Sequence, residues 1–172
     1  MTHYGTLSGA LAYHAVSAGG AAWSAVGVTD DQRTSALVRA SRSLDGQYGA
    51  RYPGRPTAGR AQSLAWPRVD AFDFCQTPPE ALPEDAVPVE IERATYALAL
   101  VELRTPGASS PSFTPGAINK REKVDVIERE RFGPNDGLSL TLEAQRAQLA
   151  EVEDSLRCLL KSSGAVQCIL RV

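Results

Sequence analysis

Residues 88–104, PVEIERATYALALVELR, decide the fold. Ala94, Ala97, Leu98, Ala99, Leu100 and Val101 leave little polar face, which predicts a helix buried on most of its circumference, at the centre of a helical core. Pro88 suits the first helical position, where a missing N–H costs nothing. Glu90 and Glu92 follow in the first two turns, against the positive end of the helix dipole. Pro106-Gly107 ends the segment. The small residues let neighbouring helices approach closely.

Upstream, Thr29-Asp30-Asp31-Gln32 forms a capping box, in which Thr29 accepts from the third amide and Gln32 reaches back. The helix it opens buries Leu37, Ala40, Leu44 and Tyr48, carries Arg33, Arg39 and Arg42 elsewhere on the cylinder, and frays at Gly46 and Gly49. A first helix is expected over 8–18, capped by Thr6 or Ser8, buried through Leu7, Leu11, Ala15 and Ala18 and ended by Gly19-Gly20. Trp23 then packs back as a core anchor. Downstream, Val124 and Val126 predict a short, largely exposed strand, with Arg129, Glu130 and Arg131 as solvated surface. Residues 133–137, GPNDG, make a turn or hinge. Leu142, Leu149, Val152, Leu156 and Leu159 form a heptad-like stripe, with Gln145 at the missing position, on a helix over about 142–162. Alternation in AVQCILRV predicts a strand over 165–172.

The expected fold class is therefore mainly α: a small helical bundle with a long Pro/Gly arm, a short β element and a C-terminal helix plus strand. Residues 1–132 form the body and 133–172 an appendage. The appendage either folds onto the body or docks on a partner through Leu149, Val152, Leu156, Leu159, Ile169, Leu170 and Val172.

The arm is the unusual segment. Residues 49–68, GARYPGRPTAGRAQSLAWPR, hold Arg51, Arg55, Arg60 and Arg68 and no acid, and their glycines and prolines preclude a continuous helix. Asp70 to Glu92 then holds seven acids and no base. The two stretches could meet within one subunit, or head to tail between subunits, the kind of contact that closes rings. Within the arm the plainer reading has Trp66 plugging the core and the arginines bonding loop carbonyls or neighbouring subunits. The other has arginines interleaved with Tyr48, Tyr52 and Trp66 as a single-stranded nucleic-acid groove.

A net charge of −2 argues against a polycationic nucleic-acid coat, and 43% apolar residues are enough for a real core. No apolar run reaches the length of a membrane span, and the first residues carry no secretory pattern; a soluble cytosolic protein is the expectation. Cys75, Cys158 and Cys168 are odd in number and lack CxxC spacing, which argues for free structural or surface thiols rather than a disulfide framework or zinc site. His3 and His14 have no triad partner at a motif spacing. Nucleotide-binding, metalloprotease and hydrolase signatures are absent. The expectation is a protein that is not an enzyme and has no cofactor and no metal.

The strings YGTLSGALAYH, ALVRASRSLDGQYGARYPG, GRAQSLAWPR, VPVEIERATYALALVEL and INKREKV resemble a family of tailed-phage and prophage proteins. Its members are labelled either head–tail connector (head completion adaptor) proteins or DnaT-like single-stranded-DNA-binding proteins. The resemblance runs from about Tyr4 to Val126. The connector label implies a structural virion protein at the neck, made in the host cytoplasm: a homo-oligomeric ring of twelve copies beneath the portal. That ring would extend the DNA channel, let DNA pass without reading its sequence, and receive the next neck or tail-completion protein. On that reading Arg51, Arg55, Arg60 and Arg68 contact the portal or a neighbour's Asp70, Asp73, Glu84 and Asp85, while Trp66 anchors the arm. The other label implies a replication protein whose stacking groove is Arg51, Tyr52, Arg55, Arg60, Trp66 and Arg68.

Overall fold

The computed structural model describes residues 2–17, 19–110, 119–123, 128–131 and 150–161. Among these lie five α-helices: α1 (Leu7–Ala15), α2 (Gly20–Trp23), α3 (Asp30–Tyr48), α4 (Val89–Arg104) and α5 (Ala150–Leu156). Three antiparallel two-stranded ribbons accompany them, β1 (Arg55–Pro56) with β2 (Arg68–Val69), β3 (Phe72–Asp73) with β4 (Glu80–Ala81), and β5 (Asn119–Lys123) with β6 (Glu128–Arg131). At this level the protein is mainly α with short β elements.

Helix α4 is the hub. It buries Ile91, Ala94, Thr95, Tyr96, Ala97, Leu98, Ala99 and Glu102, and α1, α2, α3 and α5 all contact it. Pro88 is its N-cap, so the helix begins at Val89, one residue later than expected. Helix α3 lies along α4 and buries Ala36, Leu37, Ala40, Leu44 and Tyr48. Its capping box forms as its sequence predicts: the Thr29 hydroxyl accepts from Gln32 N, and Thr29 N donates to the Gln32 side chain at 2.9 Å. Alanines on both helices permit the close approach, and the buried hydroxyls of Ser41 and Thr95 donate to the Leu37 and Ile91 carbonyls of their own helices.

Helix α1 departs from expectation. It stops at Ala15, and its buried residues are Ala10 and His14, while Leu11 is exposed. The close seat of Tyr96 turns the helix. A Cβ on Gly5, at φ +69°, would lie 2.2 Å from the Tyr96 hydroxyl, and one on Gly9 would lie 2.4 Å from it. Only glycine fits at either place, and the Tyr96 hydroxyl accepts from Thr6 N at 3.1 Å. Trp23 is fully buried, its ring 4.8 Å from that of His14, as a core anchor should be. Ala18 lies outside the described residues.

Residues 150–161 fold onto the body. Val152, Leu156, Leu159 and Leu160 are buried in the same core as α3 and α4. Helix α5 ends at Leu156, well before 162, and the chain continues in a turn. Lys161 N donates to Arg51 O at 2.9 Å. Leu142, Leu149, Ile169, Leu170, Val172 and the strand expected over 165–172 lie outside the described residues. So do Val124 and Val126; described strands lie on either side of them, and Arg129, Glu130 and Arg131 belong to β6. The two strands pair antiparallel, with Arg121, Glu122 and Lys123 in register with Glu130, Arg129 and Glu128.

The cysteine expectation is overturned for two of three residues. Cys75 and Cys158 are disulfide-bonded across a sequence separation of 83, with Cα atoms 5.0 Å apart. Closing a loop of that length removes about 4.5 kcal/mol of chain entropy from the unfolded state in the loop-closure model. Cys168 lies outside the described residues.

The C-terminal end of α4 closes on a buried carboxylate. Glu102 accepts from Arg39 Nε at 2.8 Å, Gly107 N at 2.8 Å, Ser109 N at 2.9 Å and the Ser109 hydroxyl. Burial alone would raise its pKa, but the donors from Ser109, Gly107 and Arg39 outweigh it and hold the carboxyl below the ordinary glutamate value. The group therefore stabilises the fold above the unfolded-state pKa, and that contribution is lost as pH falls through the lower folded value. Glu102→Gln should lose about 3 kcal/mol at neutral pH, and the difference from wild type should shrink on acidification. Urea unfolding at pH 7 and below pH 4 checks both.

Candidate functional site

The arm is pinned at its C-terminal end by the buried Tyr4 and the half-buried Asp45. The Tyr4 hydroxyl donates to both oxygens of Asp45, at 2.7 and 2.9 Å, and accepts from Trp66 N at 3.1 Å. Ala65 N donates to Asp45 at 2.8 Å, and Tyr4 N donates to the Ser41 hydroxyl at 2.9 Å. Burial, reinforced by the Asp45 charge, pushes the Tyr4 phenol far above its ordinary value, so it keeps its proton and donates. Burial also raises the Asp45 carboxyl, against the pull of Ala65 N and Tyr4.

This anchoring turns the arm's large side chains inward. Tyr52 is 2% exposed, Trp66 1% and Arg68 7%. The Tyr52 and Trp66 rings meet edge-on at 5.7 Å, and the Arg68 guanidinium sits 5.9 Å and 6.0 Å from their centroids. That guanidinium donates to the carbonyls of Pro53 at 2.6 Å, Gly54 at 2.8 Å and Ala65 at 3.1 Å. Arg68 is an internal brace, with its nitrogens committed to the arm's own backbone. The stacking groove expected from Tyr52, Trp66 and Arg68 is therefore closed, and Trp66 anchors the arm. Gly54 completes the seam: at φ +64°, its Cβ would sit 2.0 Å from Val69 O.

The remaining arginines divide. Arg51 is half-buried, with its Nε unpartnered among the described residues. Arg55 and Arg60 are exposed. The basic and acidic stretches meet within the chain at two points: Arg55 lies 3.9 Å from Asp70, with both side chains largely in solvent, and the Thr57 hydroxyl donates to Glu84 O at 2.8 Å. An ion pair so exposed contributes little. Asp73 is half-buried and accepts from Cys75 N at 2.8 Å, while Glu84 and Asp85 are exposed. Asp70 has φ +55° and turns the chain from one ribbon into the next.

Two residues the sequence reading passed over stand out at the surface. Phe72 and Phe74 are exposed on either side of Asp73, the first on β3 and the second in the turn after it. Their signal was present as FDF, an aromatic alternation inside an acidic stretch. Leu11, Val16, Val26 and Val89 are also exposed. His14 is a core residue: its Nε2 lies 3.1 Å from Tyr96 O, and burial lowers its pKa, which keeps it neutral. No described helix is long and apolar enough to cross a membrane.

The two roles of the arginines separate by stability. Arg68→Ala should cost about 3 kcal/mol, because three carbonyls lose their donor and the Tyr52–Trp66 pair its cover. Arg55→Ala and Arg60→Ala should each stay within about 0.5 kcal/mol of wild type. Chemical denaturation of the three variants checks the contrast.

No curated protein and no solved structure matches the chain. A family model described as "Putative DnaT-like ssDNA binding protein" matches residues 3–172. That match spans nearly the whole chain, arm, core and C-terminal segment alike, and the chain belongs to this DnaT-like single-stranded-DNA-binding family.

Proposed function

We propose that this protein binds single-stranded DNA without catalysing a reaction, holding the phosphate backbone through the exposed part of its arginine arm. Family membership carries the reading. The geometry suggests the mode. With Tyr52 and Trp66 in the core, the arm offers no stacking platform, and what it offers solvent is Arg55 and Arg60 around a turn of small residues, Thr57, Ala58 and Gly59. Contacts of this kind go to phosphates and carry no sequence information. The pairing of Arg55 with Val69 holds one end of this surface in place before DNA arrives.

Two to three phosphate contacts on a single strand give a slope of log affinity against log salt of about −1.4 to −2.1. Fluorescence anisotropy with labelled oligothymidine across a salt series should return a slope in that range. The double reversal Arg55→Glu with Arg60→Glu should lower affinity by about tenfold or more, since two attractive contacts become repulsive, with the unfolding midpoint unchanged. Salt-insensitive binding, or binding indifferent to the reversal, would count against the proposal.

A second reading, the neck ring implied by the sequence resemblance, is favoured by one observation. Leu11, Val16, Val26, Phe72, Phe74 and Val89 stay exposed on the described surface, and the arm and acidic stretch lie there too, which suits contacts between copies. On this reading the chain forms a twelve-copy ring under the portal, and Arg55→Glu should abolish assembly in size-exclusion chromatography with light scattering. On the DNA-binding reading the same variant keeps its oligomeric state and loses DNA. Quantitative mass spectrometry of phage particles decides independently: a one-to-one ratio with the portal supports the ring, and absence from particles removes it.

A further inference from the structure

We propose that Cys75 and Cys158 form a reversible thiol–disulfide site, reacting with low-molecular-weight thiols and dithiols, that fastens the C-terminal segment to the acidic ribbon. The inference stands apart from the nucleic-acid reading. The bond joins the turn after β3 to the turn after α5, at the rim of the core. Cys75 is exposed and Cys158 half-exposed, so a thiolate in solution can reach the sulfur pair.

The same two turns are held by contacts that do not need the bond. Phe74 N donates to Cys158 O at 2.9 Å, immediately beside the sulfurs. Lys161 N reaches Arg51 O, the Tyr13 hydroxyl donates to Glu151, and Val152, Leu156, Leu159 and Leu160 are buried. After reduction these contacts keep the two cysteines adjacent, which is what lets the bond re-form. The third participant is Asp73, whose carboxylate lies within 4.8 Å of both sulfurs and is oriented by Cys75 N. A negative charge there disfavours an approaching thiolate and a departing one alike. Asp73 thus slows the exchange, and a carboxamide in its place should speed it.

The step balances within thiol chemistry. A reductant thiolate attacks one cysteine sulfur, the Cys75–Cys158 bond breaks, and the other cysteine leaves as a thiolate that takes a proton. A second reductant thiol resolves the mixed disulfide. The protein gains two electrons and two protons, and the reductant leaves as its own disulfide. Re-formation runs in reverse with an oxidised dithiol.

The test uses the full chain with Cys168→Ser, so that no third thiol joins the exchange. Intact mass after alkylation, across mixtures of reduced and oxidised dithiothreitol, should show two thiols appearing and disappearing together. Hydrogen exchange of the reduced form should speed up by about tenfold or more at residues 72–76 and 150–161, with α3 and α4 unchanged, and re-oxidation should restore protection. Asp73→Asn should accelerate reduction several-fold. Two free thiols persisting in oxidised dithiothreitol would overturn the proposal. So would a bond that opens only with global unfolding, exchange at 150–161 unchanged by reduction, or a reduction rate indifferent to Asp73→Asn.

Discussion

Asp45 lies in the last turn of α3, where the helix dipole disfavours an acid. It is kept there because Tyr4 Oη and Ala65 N donate to it, and Tyr4 Oη in turn accepts from Trp66 N. Three stretches far apart in sequence, YGTLSG, SLDGQYG and QSLAWPR, meet at this carboxylate. These donors offset part of the cost of half-burying the charge, and removing any of them raises that cost, so the N-terminus, α3 and the arm are positioned together. The inward turn of Trp66, the Tyr52–Trp66 pair and the Arg68 brace all follow from where Ala65 and Trp66 are held.

A second constraint works through size. The core relies on alanine and a few aromatics, and α4 touches each of the other described helices. Small residues bring backbones close, and large ones then need places of their own. Gly5 and Gly9 make the place for Tyr96, and Gly54 makes the seam between arm and ribbon. The charges at Arg55, Arg60, Glu84 and Asp85 are left by this packing at the surface.

What the sequence disclosed was local. The capping box at Thr29 and the stripe from Leu37 to Tyr48 depend on residues three and four apart, and both appear as read. Helix α4 was legible because its apolar residues leave almost no alternative. The face of α1 was not, since Leu7, Leu11 and Ala15 keep a helical period while the glycine–Tyr96 fit selects Ala10 and His14 instead. Arg68 was ambiguous for another reason: arginine beside aromatic rings has the same composition in an open groove and in a closed brace. The stripe at Val152, Leu156 and Leu159 announced an apolar face but not what would cover it. The disulfide had no local signal at all, because folding alone brings Cys75 to Cys158.

The arm leaves and rejoins the body side by side, with Arg55 opposite Val69 and Thr57 N bonded to Pro67 O at 3.2 Å. Its buried anchors are Tyr52 on the leaving half and Leu64, Trp66 and Arg68 on the returning half, so the exposed residues 58–61 between them form a tip whose length the core does not sense. Doubling such a loop costs only about 0.6 kcal/mol in closure entropy. Evolution can therefore lengthen, shorten or recharge the tip almost independently of the scaffold. The reach of the protein toward whatever it touches is adjustable while its fold stays fixed.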